Sequence, residues 1–141
     1  MARFYLPTDI ITGNGCLKDL GGMAARYGQR AMLVCGPGAA RRDGLLDRAV
    51  SLLAGQGLAV TVYDRVRGEA DLDTVAQGMA MTRTNGCQVL IGLGGGSAMD
   101  TAKAIAGLLA LPGTPAEYHA GRAVDGPAQP WIAVPTTAGT G

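Results

Sequence analysis

Two short stretches of this chain carry residue types suited to gripping a ligand. The first is "VLIGLGGGSAMDTAKAIAG", residues 89–107. An apolar run enters Gly94, Gly95 and Gly96, and helix-forming residues follow from Ser97. Consecutive glycines let the backbone approach a ligand closely and take positive φ. A helix starting directly behind them offers free N–H groups and a partial positive charge. Phosphate or diphosphate is the ligand such a turn suits. The spacing is not G-x-G-x-x-G and no Walker-type G-K-S/T follows, so neither ordinary nucleotide fingerprint applies. Ser97 and Asp100 also fit an S-x-x-D capping box, which needs no ligand, and Lys103 also reads as a solvated helix charge. Three glycines in a row favour the ligand, because each costs chain entropy on folding. The second stretch is "PTTAGTG", residues 135–141. There an apolar run meets Pro135, then Thr136 and Thr137, then Gly139 and Thr140, a loop suited to holding a ligand.

The elements that must position these stretches alternate along the chain. Residues 31–35, 58–63, 87–92 and 131–134 read as strands. They are continuous apolar runs, as expected when helices cover both faces of a parallel sheet. Between them, helical periodicity joins Leu17, Leu20, Ala24 and Tyr27, then Leu45, Ala49, Leu52 and Leu53, then Leu72, Val75, Ala76 and Met79, then Ala98, Ala102, Ile105 and Leu109. Asp71 or Asp73 marks the start of the third helix and Gly86 its end. Residues 111–130, rich in Pro, Gly and Ala, read as irregular. "RFYLP" and "DIITG" predict a short N-terminal β-hairpin around Pro7 and Thr8. The fold class is therefore α/β: a Rossmann-like, doubly wound, mostly parallel sheet in one domain, residues 1–141, preceded by that hairpin.

Composition supports one folded domain. Of 141 residues, 48% are hydrophobic and 16% charged, which argues against disorder. Aromatics are 4% and glycines number 23, so the core is aliphatic with many tight backbone positions. A formal charge of +1 gives no electrostatic case for nucleic acid or an anionic membrane. No apolar run is long enough to span a bilayer and no secretory leader is visible, so neither nucleic acid nor membrane is expected as a partner. Cys16, Cys35 and Cys87 are scattered, without C-x-x-C, and read as reduced, buried thiols of a cytoplasmic protein.

"GGGSAMDTAKA" followed by "PTTAGTG", together with the opening "FYLPTDIITGNGCL", resembles the iron-containing, or group III, alcohol dehydrogenase family over the whole chain. The resemblance implies a Rossmann-like nucleotide-binding domain, a fold shared with dehydroquinate synthase and glycerol dehydrogenase. It implies that Gly95, Gly96 and Ser97 hold the pyrophosphate of NAD or NADP. Asp100 and Lys103 match the motif's fixed acid and base and would face the cofactor–substrate cleft, where Lys103 has a possible role. Thr136 and Thr137 match a pair touching the cofactor, with Gly139 and Thr140 continuing that loop. Dehydroquinate synthases lack the Thr101, Ala102 and Lys103 seen here. Glycerol dehydrogenases and maleylacetate reductases differ in the "PTTAGTG" loop. The sequence departs from the family at Gly36, where NAD-preferring members often carry an Asp that binds the adenine ribose. Its absence, with Arg41 and Arg42 nearby, leans towards tolerance of NADP(H); the alternative reading is that Gly36 only makes a tight turn and specificity is set elsewhere.

The family's divalent metal, iron or zinc, is held by an Asp and a histidine cluster in a helical C-terminal domain. This chain has one histidine, His119, expected at the surface, and so no metal site and no catalytic residue of its own. The stop at Gly141 falls within a family motif. The expectation is a truncated nucleotide-binding portion that is inactive alone, from an enzyme transferring hydride between nicotinamide and a small alcohol or aldehyde, homo-oligomeric at full length partly through residues 4–12. An apolar face around residues 131–134 and the fourth helix would meet the missing domain. The alternatives are a dehydroquinate synthase-like or glycerol dehydrogenase-like enzyme, or a catalytically silent nucleotide-binding module.

Overall fold

The computed structural model describes residues 1–38 and 43–137. Four strands form one sheet: β1 (Arg30–Val34), β2 (Ala59–Tyr63), β3 (Val89–Gly94) and β4 (Trp131–Pro135). Their spatial order is β2-β1-β3-β4 and every pairing is parallel. Parallel neighbours need long crossovers, and these supply the helices. A 3₁₀ turn (Cys16–Asp19) leads into α1 (Leu20–Ala25); α2 (Leu45–Ala54), α3 (Leu72–Asn85), α4 (Gly96–Leu108) and the short α5 (Pro115–His119) follow.

The strand alternation divides the core into two layers. Ala31, Leu33, Cys35, Val89, Ile91 and Leu93 pack with Leu20 and Ala24 of α1 and Leu46, Ala49 and Leu53 of α2. Met32, Val34 and Leu90 pack with Val75 and Met79 of α3 and Ala102, Ile105 and Ala106 of α4. Both faces of β1 and β3 are covered, which explains their unbroken apolar sequence. β4 is an edge strand with Trp131, Ile132 and Val134 half-buried.

α4 lies almost on the backbone of β3. A Cβ at Gly92 would stand 3.0 Å from the Met99 Cα and 3.1 Å from the Ala102 Cβ. Polar groups inside the fold are satisfied. The Thr82 hydroxyl donates to the Gly78 carbonyl at 2.7 Å, and that of Thr101 to the Ser97 carbonyl at 2.8 Å. Tyr63, buried at the end of β2, donates its hydroxyl to the Thr74 carbonyl at 2.7 Å. α3 begins as its sequence predicts. The Asp71 carboxylate accepts from the Thr74 N–H at 2.7 Å and the Thr74 hydroxyl at 2.8 Å, which holds its pKa below the usual range. α3 ends at Gly86 with φ 59°.

Three expectations are corrected. The N-terminal hairpin is not formed: residues 1–12 contain no strand, and Phe4, Tyr5 and Ile10 are exposed. No described strand lies alongside to pair with them, and an isolated two-stranded hairpin is marginal in water. Tyr27 lies beyond the end of α1 and is exposed, so it does not join Leu20 and Ala24. The segment read as irregular contains α5, whose capping box is legible as "TPAE": the Thr114 N–H donates to the Glu117 carboxylate at 2.6 Å, with Pro115 in the first turn.

Gly92→Ala should lower stability by about 1–3 kcal/mol, because the added methyl overpacks the β3–α4 contact. Urea unfolding followed by circular dichroism checks this; an unchanged midpoint would contradict it.

Candidate functional site

All strand carboxyl ends lie on one edge of the sheet, and the chain reverses its winding direction there. From β1 it steps outward to β2, then crosses to β3 and steps the other way to β4. α2 therefore leaves β1 towards one face and α4 leaves β3 towards the other. The crevice between such ends is where open α/β sheets bind ligands. It is bounded by Gly36, just beyond β1, and by the glycine turn at the end of β3.

The turn is built in steps. Gly94, the last residue of β3, has φ 146°, a conformation open to glycine. Gly95 is the N-cap of α4, with φ −79°, ψ −173° and no side-chain cap, and Gly96 starts the helix. The Ala98 and Met99 N–H groups turn back to the Gly95 carbonyl at 3.1 and 3.2 Å. The Gly96 and Ser97 N–H groups come before them, at the end where a helix leaves donors unpaired and carries partial positive charge. Because the helix starts at Gly96, Ser97 is its second residue and Asp100 its fifth. The S-x-x-D capping box is thus not formed, and among the described residues no side chain caps α4.

The second loop meets the first through the sheet. Gly94 pairs with Pro135 in the β3–β4 register. The pairing continues one step further, where the Thr136 N–H donates to the Gly94 carbonyl at 2.9 Å. Thr137 then lies over the turn, its Oγ1 3.5 Å from where a Cβ on Gly95 would stand. Thr136 and Thr137 are exposed, as are Asp100 and Lys103 on α4. Gly139, Thr140, Arg41 and Arg42 lie outside the described residues. The structure thus brings together Gly94, Gly95, Gly96, Ser97, Thr136 and Thr137, with Gly36 just beyond the neighbouring strand β1.

Position 36 is confined. A Cβ there would stand 3.1 Å from the Val66 carbonyl oxygen. That carbonyl belongs to the segment after β2, which is tied to the end of β1. The Cys35 N–H donates to the Tyr63 carbonyl at 2.9 Å, and the Val66 N–H to the Cys35 carbonyl at 3.3 Å.

His119 is exposed in the last turn of α5 and borders an open depression with Asp71 and Asp73, whose lining includes no residue of the glycine turn. Among the described residues no group of three or more His, Cys, Asp or Glu could hold a metal ion. Cys35 and Cys87 are buried thiols, Cys16 a half-buried one, and burial pushes the Cys87 thiol pKa up. Among the described residues no helix is long and apolar enough to cross a membrane.

Comparison with known proteins agrees with this geometry. The family model described as iron-containing alcohol dehydrogenase matches residues 7–141. Alcohol dehydrogenase 4 of Schizosaccharomyces pombe is 34% identical over 141 residues, covering 99% of this chain and 33% of that protein. The crystal structure of NADH-dependent butanol dehydrogenase A from Thermotoga maritima superposes with TM-score 0.92 at 25% identity, over 99% of this chain and 35% of that one. The sulfoacetaldehyde reductase of Bifidobacterium kashiwanohense, solved in complex with NAD+, gives TM-score 0.86 at 29% identity, over 99% of this chain and 37% of that one. The chain therefore spans about a third of the length of the relatives it matches.

Since Ser97 does not cap α4, Ser97→Ala should change stability by less than about 0.5 kcal/mol, whereas losing a true cap costs about 1 kcal/mol. Thermal and urea unfolding of the variant distinguish the two.

Proposed function

The chain belongs to the iron-containing alcohol dehydrogenase family, and from that premise we propose that it is the nicotinamide-dinucleotide-binding part of a metal-dependent dehydrogenase acting on a small alcohol or aldehyde. One observation carries the reading: the fold does not need glycine at positions 95 and 96. Gly95 has extended backbone angles that any residue adopts, and a Cβ there would make only ordinary contact with Thr137. A Cβ at Gly96 would meet nothing within 4 Å. Glycine in a helix costs about 1 kcal/mol relative to alanine, so at position 96 the folded chain alone would gain from alanine, although at the N-cap, position 95, glycine is itself the better cap. Bare backbone is useful if something must approach it closely. A diphosphate fits this uncapped helix end, with N–H donors on one side and the Thr137 hydroxyl on the other.

In this reading the Gly96 and Ser97 N–H groups hold the diphosphate and Thr136 and Thr137 close over it. Gly139 and Thr140 continue that loop, and Asp100 and Lys103 line the cleft further along α4. When bound, the nicotinamide supplies or accepts the hydride, and a divalent metal polarises the alcohol oxygen. The described residues offer no set of metal ligands. We place those ligands in a further helical domain outside these 141 residues, so this chain alone should bind nucleotide but oxidise no alcohol. Phe4, Tyr5 and Ile10, exposed at 90%, 74% and 63%, are consistent with a segment that another copy covers in an oligomer.

The test uses NADH fluorescence titration. The variant Gly96→Ala should be at least as stable as the parent, yet bind NADH at least about tenfold more weakly, the scale of one lost charge-assisted hydrogen bond. Equal affinity in a folded variant would remove the basis for the site. Added Fe(II) or Zn(II) should produce no alcohol oxidation by the chain, and turnover would overturn the placement of the metal outside it.

A further inference from the structure

We propose that Asn14 is a site of spontaneous deamidation in the folded chain, whereas Asn85 is shielded from the same reaction by its hydrogen bonds. The proposal is independent of the nucleotide reading above.

The chain has two asparagines, and both precede a glycine. In that pair the glycine nitrogen can attack the asparagine side chain, because no Cβ hinders its approach. The N–Cγ bond forms, the Cγ–Nδ2 bond breaks, and ammonia leaves with the proton of the glycine N–H. Water then opens the five-membered imide at either carbonyl. The products are aspartate, or isoaspartate with the backbone rerouted through the side chain. No electrons are transferred, and water is the one co-reactant. Sequence ranks the two sites equally, and both asparagines are exposed.

Hydrogen bonding separates them. Asn85 is the last residue of α3, and its Nδ2 donates to the Met81 carbonyl at 2.8 Å. The Gly86 N–H, whose nitrogen would attack, donates to the Arg83 carbonyl at 3.1 Å. Attacking and leaving nitrogens are both held until the helix end opens.

Asn14 lies in the turn that leads into the 3₁₀ segment. The Cys16 N–H donates to the Gly13 carbonyl at 3.2 Å, with Asn14 and Gly15 at the centre of the turn. Gly15 has φ 75° and ψ 11°, and no described residue other than glycine has positive φ. This is a type II turn with glycine at its third position. Among the described residues, neither the Gly15 N–H nor the Asn14 side chain has a hydrogen-bond partner. Residues 1–15 are all exposed, so the turn can open without disturbing the core. Conversion adds one negative charge to a chain of formal charge +1. Isoaspartate also lengthens the backbone within the turn, which would re-aim residues 1–12 ahead of α1.

The test ages the folded chain at neutral pH and follows its tryptic peptides by mass spectrometry. Peptide 4–18, which holds Asn14, should gain the mass of an amide converted to an acid. It should do so at least about tenfold faster than peptide 84–103, which holds Asn85, the population cost of opening the hydrogen bonds at the helix end. In urea the two rates should converge. Isomerisation at Asp43–Gly44 or Asp125–Gly126 adds no mass and does not interfere. Ion exchange of the aged chain should resolve a more acidic form that Asn14→Ser removes and Asn85→Ser retains. Equal rates in the folded chain, faster conversion at Asn85, or an acidic form that survives Asn14→Ser overturns the proposal. A difference that persists in urea belongs to the local sequence and overturns the shielding of Asn85 by the fold.

Discussion

The pairing of β3 with β4 is the constraint on which the site depends. These strands are parallel, so both carboxyl ends emerge on the same edge of the sheet, and Gly94 lies opposite Pro135. One further hydrogen bond, from the Thr136 N–H to the Gly94 carbonyl, extends that register beyond the strands. Two loops separated by some forty residues of sequence are thereby held side by side. A shift of the register would move Thr137 away from Gly95.

Tight helix packing keeps the other half of the arrangement in place. Gly92 lets α4 rest against β3, with the Met99 Cα 3.0 Å from a notional Cβ. Ala98 and Ala102, both small and buried, continue that contact. The start of α4 is thus fixed relative to the strand that feeds it, so the glycine turn is short and its unpaired N–H groups have a defined direction. The Thr101 hydroxyl, turned back to the Ser97 carbonyl, satisfies a buried polar group in the same helix without disturbing its free end.

The rim beyond β1 and β2 shows how backbone detail can decide chemistry that composition leaves open. Gly36 reads from sequence as a missing carboxylate or as a turn. Its φ is not in the left-handed region, and its neighbour is the Val66 carbonyl, so close approach of another backbone accounts for the glycine. That approach arises from where the Val66 N–H finds its acceptor, the Cys35 carbonyl, and no residue pattern announces it.

Much of this protein was legible in one dimension. The apolar runs of β1 and β3, the helical periodicity around Ala49, Val75 and Ala102, and the Asp71 and Gly86 ends of α3 follow from local rules of burial, period and capping. The glycine turn and the threonine pair were visible as ligand-binding types. Tertiary structure decided the rest. The N-terminal segment, strand-like in residue type, pairs with no described strand, because a strand needs a neighbour that local sequence cannot supply. Ser97 and Asp100 match a capping box, yet α4 begins two residues earlier than that box requires, where the end of β3 delivers the chain. The sequence alone determined which residues could hold a phosphate. Only the parallel registers, set by long-range pairing, decided which of them meet.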